Sequence, residues 1–341
     1  MNGTPNETAL DVIIPIKNGE RYIHDSVRCV LNQTISDRIH ILLIDDGSDD
    51  NTGKICDELA AANKSISSFH LDGSGVSAAR NYGLSQSTAE YVAFMDVDDF
   101  LYSDCYETLL KNASENNCDI SACAYVTTQS RILPEQDRDK KFSFFLIEDQ
   151  KEALANMICG EKSIEGYVWN KIFRRDTIKD ILFPSYRFCE DCIFSWDAVS
   201  HSARICYTDK PLYVYYVSHK LYPPMDDGIR VYKELLARCG ENGIDSPEVI
   251  NCLKRGYVDH VIAFARNIAL FKSKKSDGKA TPTKTDARRY LKKINTKGVK
   301  ISFVQRIRRF LLKHCWPLFV LSEKIIYAHR RRRHENRIAE K

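Results

Sequence analysis

The stretch Tyr91-Val92-Ala93-Phe94-Met95-Asp96-Val97-Asp98-Asp99-Phe100 decides how the rest of the chain is read. Five apolar or aromatic residues run into three carboxylates, and an aromatic residue follows. A continuous apolar run of this length marks a strand buried on both faces of a parallel sheet. Three acids together at its C-terminal end repel one another and lose hydration unless a positive group lies among them. Open α/β sheets bind ligands outside the carboxyl ends of their strands. A hard divalent cation with oxygen ligands, bridging to phosphate, would satisfy the charge. An isolated D-x-D is more simply a solvated acidic turn that caps the next helix, so neighbouring segments have to decide.

Upstream, Asp11-Val12-Ile13-Ile14-Pro15-Ile16 is a first buried strand, with Pro15 near its end where a ladder N–H can be spared. Asn18-Gly19 turns into a helix carrying Tyr22, Ile23, Val27, Val30 and Leu31. His40–Ile44 is a second strand and runs into Asp45-Asp46-Gly47-Ser48-Asp49-Asp50, with Asp50 or Asn51 as N-cap of the next helix. Ser67–Leu71 is a short third strand, and Val76–Ser87 a helix containing Arg80. The alternation predicts a mostly parallel α/β sheet with helices on both faces. Two strands ending in acid clusters on one edge can address a single ligand. Neither G-x-G-x-x-G nor G-x-x-x-x-G-K-[ST] occurs, so phosphate handling falls to a metal and Arg80.

Downstream, a helix is expected over 103–116 and a strand over 119–127, with 129–150 a charged surface excursion. A helix near 150–159 precedes Gly166–Arg175, and Ala203–Tyr207 and Leu212–Val217 read as two closing strands. Glu190-Asp191 stands just before a helical pattern. Carboxylates there are caps favoured by the helix dipole, or else one of them is a general base facing a reacting centre. Spacing alone favours the cap.

Composition sets outer limits. The 341 residues, 43% hydrophobic and 28% charged, describe an ordinary globular protein large enough for about two domains. Met1–Leu10 lacks the basic and apolar regions of an export signal, and no apolar run is long enough to span a membrane. The 12 cysteines then read as reduced cytosolic thiols. Cys189 and Cys192 have C-x-x-C spacing but lack a good second pair, which argues against a zinc or redox role. The net charge of +4 conceals an asymmetry: residues 272–341 hold 22 Lys+Arg against 5 Asp+Glu, and the rest 28 against 41.

Taken together, the motifs resemble glycosyltransferase family 2, the inverting nucleotide-sugar transferases of GT-A fold. The resemblance covers about residues 10–217. It rests on Val12–Asn18, Ile44–Thr52, Gly75–Gly83, Met95–Asp99, Val168–Phe173, Glu190-Asp191 and Asp209–Tyr215. It implies a nucleotide-sugar donor, with UDP expected. Pro15, Ile16 and Asn18 would line its base and ribose, Asp46 would meet the uracil edge, and Arg80 would lie near the nucleotide. Asp98 would hold the divalent metal, Mg2+ or Mn2+, with Asp96 or Asp99 on ribose or donor sugar. Asp191 would be the catalytic base, with Glu190 beside it. The acceptor would be a glycan or lipid-linked saccharide. Related sequences often carry an Arg after the Tyr-rich closing strand; here the positions read Val217-Ser218-His219. The competing reading is a non-catalytic, membrane-associated protein that binds nucleotide sugar or glycan.

These expectations divide the chain into a GT-A domain over 1–220 (nucleotide half 10–127, acceptor half 128–220), a helical domain over 221–272, a linker over 273–300 and a basic tail over 301–341. In the tail, Phe303, Ile307, Phe310, Leu311 and Leu318 alternate with Arg306, Arg308, Arg309 and Lys313, and Pro317 should divide the helix. Such a segment suits an anionic membrane surface on the cytoplasmic side, or else packs its apolar face on protein. No nucleic-acid module accompanies the charge, so nucleic acid is not expected.

Overall fold

Residues 8–136, 140–160, 164–186, 189–217, 225–270, 283–292 and 302–326 are described by the computed structural model, those of 225–229 and 267 by backbone only. Contacts divide the chain into two units, Met1–Lys220 and Leu221–Lys341.

In the first unit each apolar run becomes a strand and each 3.6-residue pattern a helix. The order opens β1 (Leu10–Ile16), α1 (Ile23–Leu31), β2 (Ile39–Asp45), α2 (Thr52–Ala62), β3 (Ile66–His70), α3 (Val76–Gln86), β4 (Tyr91–Phe94). It continues β5 (Phe100–Leu101), α4 (Cys105–Asn116), β6 (Ile120–Thr128), β7 (Phe144–Ile147), α5 (Gln150–Cys159), β8 (Lys171–Arg174), α6 (Arg175–Ile178), α7 (Glu190–Ser200), β9 (Ile205–Tyr216). Among the described residues one mixed sheet forms in the order β3-β2-β1-β4-β8-β6-β9-β5, with β7 on β9.

The half β3-β2-β1-β4 is parallel throughout. Its carboxyl ends therefore share an edge, as the two acid clusters required. Pro15 lies in the central strand, but β4 pairs with β1 only as far as Ile13↔Phe94, so the missing N–H falls beyond the last partner. Leu10, Val12, Ile14 and Ile16 of β1 pack in one core with Ile23, Val27 and Val30 of α1 and Leu109 of α4. Ile13 points to the other face, where a Cβ on Gly83 of α3 would lie 2.5 Å from its Cγ2. On that face Phe94, Phe173, Phe183 and Phe194 interlock, the last two stacked at 3.9 Å.

In the far half β8 runs antiparallel to both β4 and β6, so the sheet as a whole is mixed. Two expectations are corrected there. The excursion over 129–150 contains β7, an edge strand with Phe144 and Leu146 exposed. The two closing strands are one strand, β9, whose pairing with β6 shifts register around Ala124↔Pro211. The bulge absorbs Asp209-Lys210-Pro211, which in sequence looks like a break.

The second unit comprises α8 (Met225–Glu241), α9 (Pro247–Leu270), α10 (Lys284–Lys292), α11 (Phe303–His314) and a helix over 316–326, α12. Its core joins Tyr257, Val258, Val261, Ile262 and Ala265 of α9 with Tyr290 and Leu291 of α10, Leu312 of α11 and Phe319 of α12. The linker expected over 273–300 thus contains α10, and the tail is not a separate element up to residue 326. Cys315 interrupts α11 from α12 and Pro317 is the second residue of α12, where a missing N–H costs no helical bond. Arg330–Arg333 lie outside the described residues.

Candidate active site

At the shared edge the loops after β1 and β2 are laced together. The Asn18 N–H donates to Ser48 Oγ at 2.8 Å and the Gly19 N–H to Thr52 Oγ1 at 2.8 Å. Asn18 Oδ1 accepts the Asp49 N–H at 2.8 Å, with Asn18 in the left-handed region at φ 53°. Pro15 and Ile16 are buried in β1 at the root of these loops. Asp46 is buried and accepts the Gly75 N–H on both oxygens, at 2.9 and 3.1 Å, while its carbonyl accepts Lys17 Nζ at 3.0 Å. Asp46 therefore ties the end of β2 to the start of α3.

The acids after β4 meet a built environment. Arg80, buried on α3, donates Nη2 to Asp96 at 2.9 Å and Nη1 to Glu190 at 2.6 Å, with its guanidinium over the Phe183 ring. One cation thus joins the strand-end cluster to the start of α7. Asp99 is fully buried, accepting Tyr213 Oη at 2.6 Å and the Tyr216 N–H at 2.7 Å. Tyr213 Oη in turn accepts the Asp96 N–H at 3.3 Å. Burial first, and then the charge of Asp96, hold the Asp99 carboxyl well above the usual range. Asp98 is half-buried, and its carbonyl accepts Arg131 Nη1 at 2.9 Å.

Asp191 lies in the first turn of α7, half-buried. Cys189, the residue before the helix, is left-handed at φ 60°, an uncommon conformation for a side chain of this kind. Asp191 Oδ1 accepts the Cys192 N–H at 2.9 Å, while Glu190 turns to Arg80. Removal from water and the Glu190 charge, opposed by Arg80, push the Asp191 carboxyl up to about 7. Both carboxylates stand in the first turn as the sequence suggested, but neither side chain occupies the N-cap position.

A sequence profile described as Glycosyl transferase family 2 matches residues 11–182, just over half of the chain. The chain belongs to glycosyl transferase family 2. Glycosyltransferase EpsJ of Bacillus subtilis strain 168 is 29% identical over 213 residues, an alignment spanning 60% of either chain. Among solved structures, Staphylococcus aureus TarS 1–349 in complex with UDP-GlcNAc is similar at TM-score 0.60 and 21% identity, over 78% of this chain and 76% of that one. The mannosyltransferase PcManGT of Pyrobaculum calidifontis, in complex with GDP-Man and Mn2+, is similar at TM-score 0.54 and 13% identity, over 94% and 87%. These likenesses establish the α/β GT-A fold.

Within this family 2 chain, the structure brings Arg80, Asp96, Asp98, Asp99, Glu190 and Asp191 to one end of the sheet, and Asn18 and Asp46 to the adjoining loops, with Pro15 and Ile16 at their root in β1. Ser218 and His219 lie outside the described residues. Among the described residues no group of three or more His, Cys, Asp or Glu is arranged to hold a metal. A hard cation bound beside substrate phosphate and water needs only one or two protein carboxylates.

Two features escaped the sequence. Trp169 stacks on Tyr213 at 4.5 Å, on Tyr167 at 4.7 Å and on Tyr215 at 5.5 Å, making an aromatic wall beside the acids, with Tyr167 and Tyr215 each about a third exposed. The loop bearing it is pinned by Lys171, whose buried Nζ donates to the carbonyls of Glu165 and Tyr167 at 2.9 and 2.6 Å and to Asn170 Oδ1 at 2.8 Å. Burial lowers the Lys171 ammonium to about 8. The motif around Lys171 was visible, but stacking depends on which strands pair. Arg131 is the other: it pairs with Asp25 at 2.8 Å and lies 4.4 Å from the Phe100 ring centre. Nothing in its polar loop sequence distinguishes it.

Proposed function

We propose that this protein transfers a sugar, with inversion, from a nucleoside-diphosphate donor to a saccharide or lipid-linked saccharide acceptor. UDP is the expected nucleotide. The observation that carries this reading is the Arg80 bridge, which joins Asp96 of the strand-end acid cluster to Glu190 and so brings the first turn of α7, with Asp191 and its raised carboxyl, to that cluster. A general base works best when its pKa lies near the working pH.

In this reading the β1 and β2 loops, with Pro15, Ile16, Asn18 and Asp46, cradle base and ribose. Arg80 fixes Asp96 and Glu190 so that donor and base sites keep their spacing. Mg2+ or Mn2+ held at Asp98 would supply neutralising charge to the diphosphate. The acceptor lies against Trp169 and Tyr215, with its hydroxyl at Asp191. As the acceptor oxygen attacks the anomeric carbon, its proton passes to Asp191. The bond from that carbon to the diphosphate oxygen breaks on the opposite face, and the electron pair leaves with the nucleotide. A lipid-linked acceptor would place the work at the inner face of a membrane.

The test is nucleotide release from UDP-GlcNAc and other UDP-sugars, with Mn2+, Mg2+ or chelator. Metal-dependent release, lost in Asp191→Asn while UDP still raises the melting temperature, is the expected result. Equal release by Asp191→Asn would remove it as the base. Absence of nucleotide binding by the wild type would remove the transferase reading.

A further inference from the structure

The α11–α12 hairpin carries its apolar residues on the side that faces away from its own core. At about 100° per residue, Phe303, Ile307, Phe310 and His314 share one stripe of α11, and Leu312 lies on the opposite side. Leu312 is the residue that packs in the core, whereas Phe303 is 75% exposed and Phe310 60%. The arrangement repeats in α12: Phe319 and Glu323 are buried, and Leu318, Leu321 and Ile325 are exposed, Ile325 to 61%. Sequence periodicity alone would have turned these stripes inward. They stay outside because Arg308 and the buried Glu323 form a double ion pair, 2.6 Å on each arm, that fixes the hairpin's rotation. Arg288 Nε, donating to the Leu312 carbonyl at 2.9 Å, fixes α11 from the other side. A capping box between Ser302 and Gln305 begins the helix where the exposed stripe begins.

The charge that the hairpin itself exposes has one sign, and Asp259 of α9, which accepts Gln305 Nε2 at 2.5 Å, is an exposed acid at its margin. Arg306, Lys313 and Lys324 are exposed and Arg309 is half-buried, while Glu323, the sole acid over 302–326, is consumed by Arg308. The basic excess continues in the sequence through 327–341. We infer that the outer face of the α11–α12 hairpin is a docking surface for an anionic lipid bilayer, with its Phe, Ile and Leu side chains in the interface and its Lys and Arg at the headgroups. Aromatic and aliphatic residues on one side with cations flanking them, and no exposed acid within the helices themselves, are what an interfacial segment needs. The inference deepens the membrane half of the proposed function and does not depend on its chemistry.

The test uses the full chain and vesicles of phosphatidylcholine, alone or mixed with phosphatidylglycerol. Wild type should sediment with the mixed vesicles and stay in solution with phosphatidylcholine alone. The triple variant Phe303→Ser, Ile307→Ser, Phe310→Ser should bind the mixed vesicles more than about tenfold less tightly. Arg306→Gln with Lys313→Gln should lose about tenfold and also lose part of the salt sensitivity. All of these residues belong to Leu221–Lys341 and none to the transfer-site residues of Met1–Lys220, so nucleotide release and UDP binding in solution should be unchanged in every variant. That readout separates failure here from failure of the transferase reading. Equal vesicle binding by the triple variant, or no binding by wild type, overturns the inference. So does a wild-type dimer in solution that the triple variant dissociates, since that assigns the face to a second copy.

Discussion

An ordinary aspartate is a poor base at neutral pH because its proton left several units lower. Asp191 is held near 7 by burial and by Glu190, with Asp96 adding and Arg80 subtracting. Two outcomes follow. The transfer rate should climb about tenfold per pH unit below 7 and level above it, read as a pH–rate profile under saturating donor. Stability should move the other way. A carboxyl whose folded pKa is raised keeps its proton longer in the folded chain, so its contribution to stability is full at low pH and is lost as pH rises through 7. Asp191→Asn should therefore melt higher than wild type at pH 8, by less at pH 5, and level with it only below the ordinary aspartate value of about 3.9; the reverse order would mean that the ionised form is the stabilised one. Arg80 offers a contrasting case. Replacing it with Leu leaves Asp96 and Glu190 facing each other without their shared cation, at a cost of about 3 kcal/mol or more in urea unfolding. Arg80→Leu with Glu190→Leu should recover part of that loss.

Elements were legible where one physical signal sufficed. β1, β2 and β4 are dominated by apolar residues, and α1 carries a clear apolar face, so the parallel half could be read directly. β7 could not, because an edge strand with Phe144 and Leu146 in solvent and Lys140-Lys141 before it has no buried pattern to show. β9 was split because Pro211 looks like an end until β6 supplies the bulge. The acid clusters are legible as a ligand edge from the strand ends, whereas Asp191 as a base is legible only as a family pattern; the Arg80 bridge and the Tyr213 link between Asp96 and Asp99 depend on which elements meet. The glycine at position 83 shows how such a pattern gains a cause. Gly83→Ala puts a methyl 2.5 Å from the buried Ile13 Cγ2 in the middle strand. The helix-propensity gain, up to about 1 kcal/mol, is outweighed by overpacking of about 1–3 kcal/mol. A net loss in denaturant unfolding is expected, and Ile13→Ala should cost less in the Gly83→Ala background than alone. Additivity of the two changes would mean that α3 simply moves away.

At the scale of the whole chain, a hydrophobic core that runs along the sheet from Leu10 to Tyr213 is distinct from one that joins Tyr257 to Phe319. Every residue assigned to the nucleotide lies in Met1–Lys220. A ligand stabilises what it binds by mass action and leaves other cooperative units where they were. Calorimetry of the full chain should therefore resolve two transitions, with UDP and Mn2+ together raising one of them. At a hundredfold excess over Kd the gain is about 2.7 kcal/mol, or roughly 5–10 °C for a unit of this size. Leu312→Ala, which hollows the second core, should lower the other transition and leave the nucleotide-sensitive one in place. If nucleotide moves both transitions together, or Leu312→Ala lowers both, the two cores unfold as one. The membrane face and the transfer site would then share one folding equilibrium, and changes at either would be felt at the other.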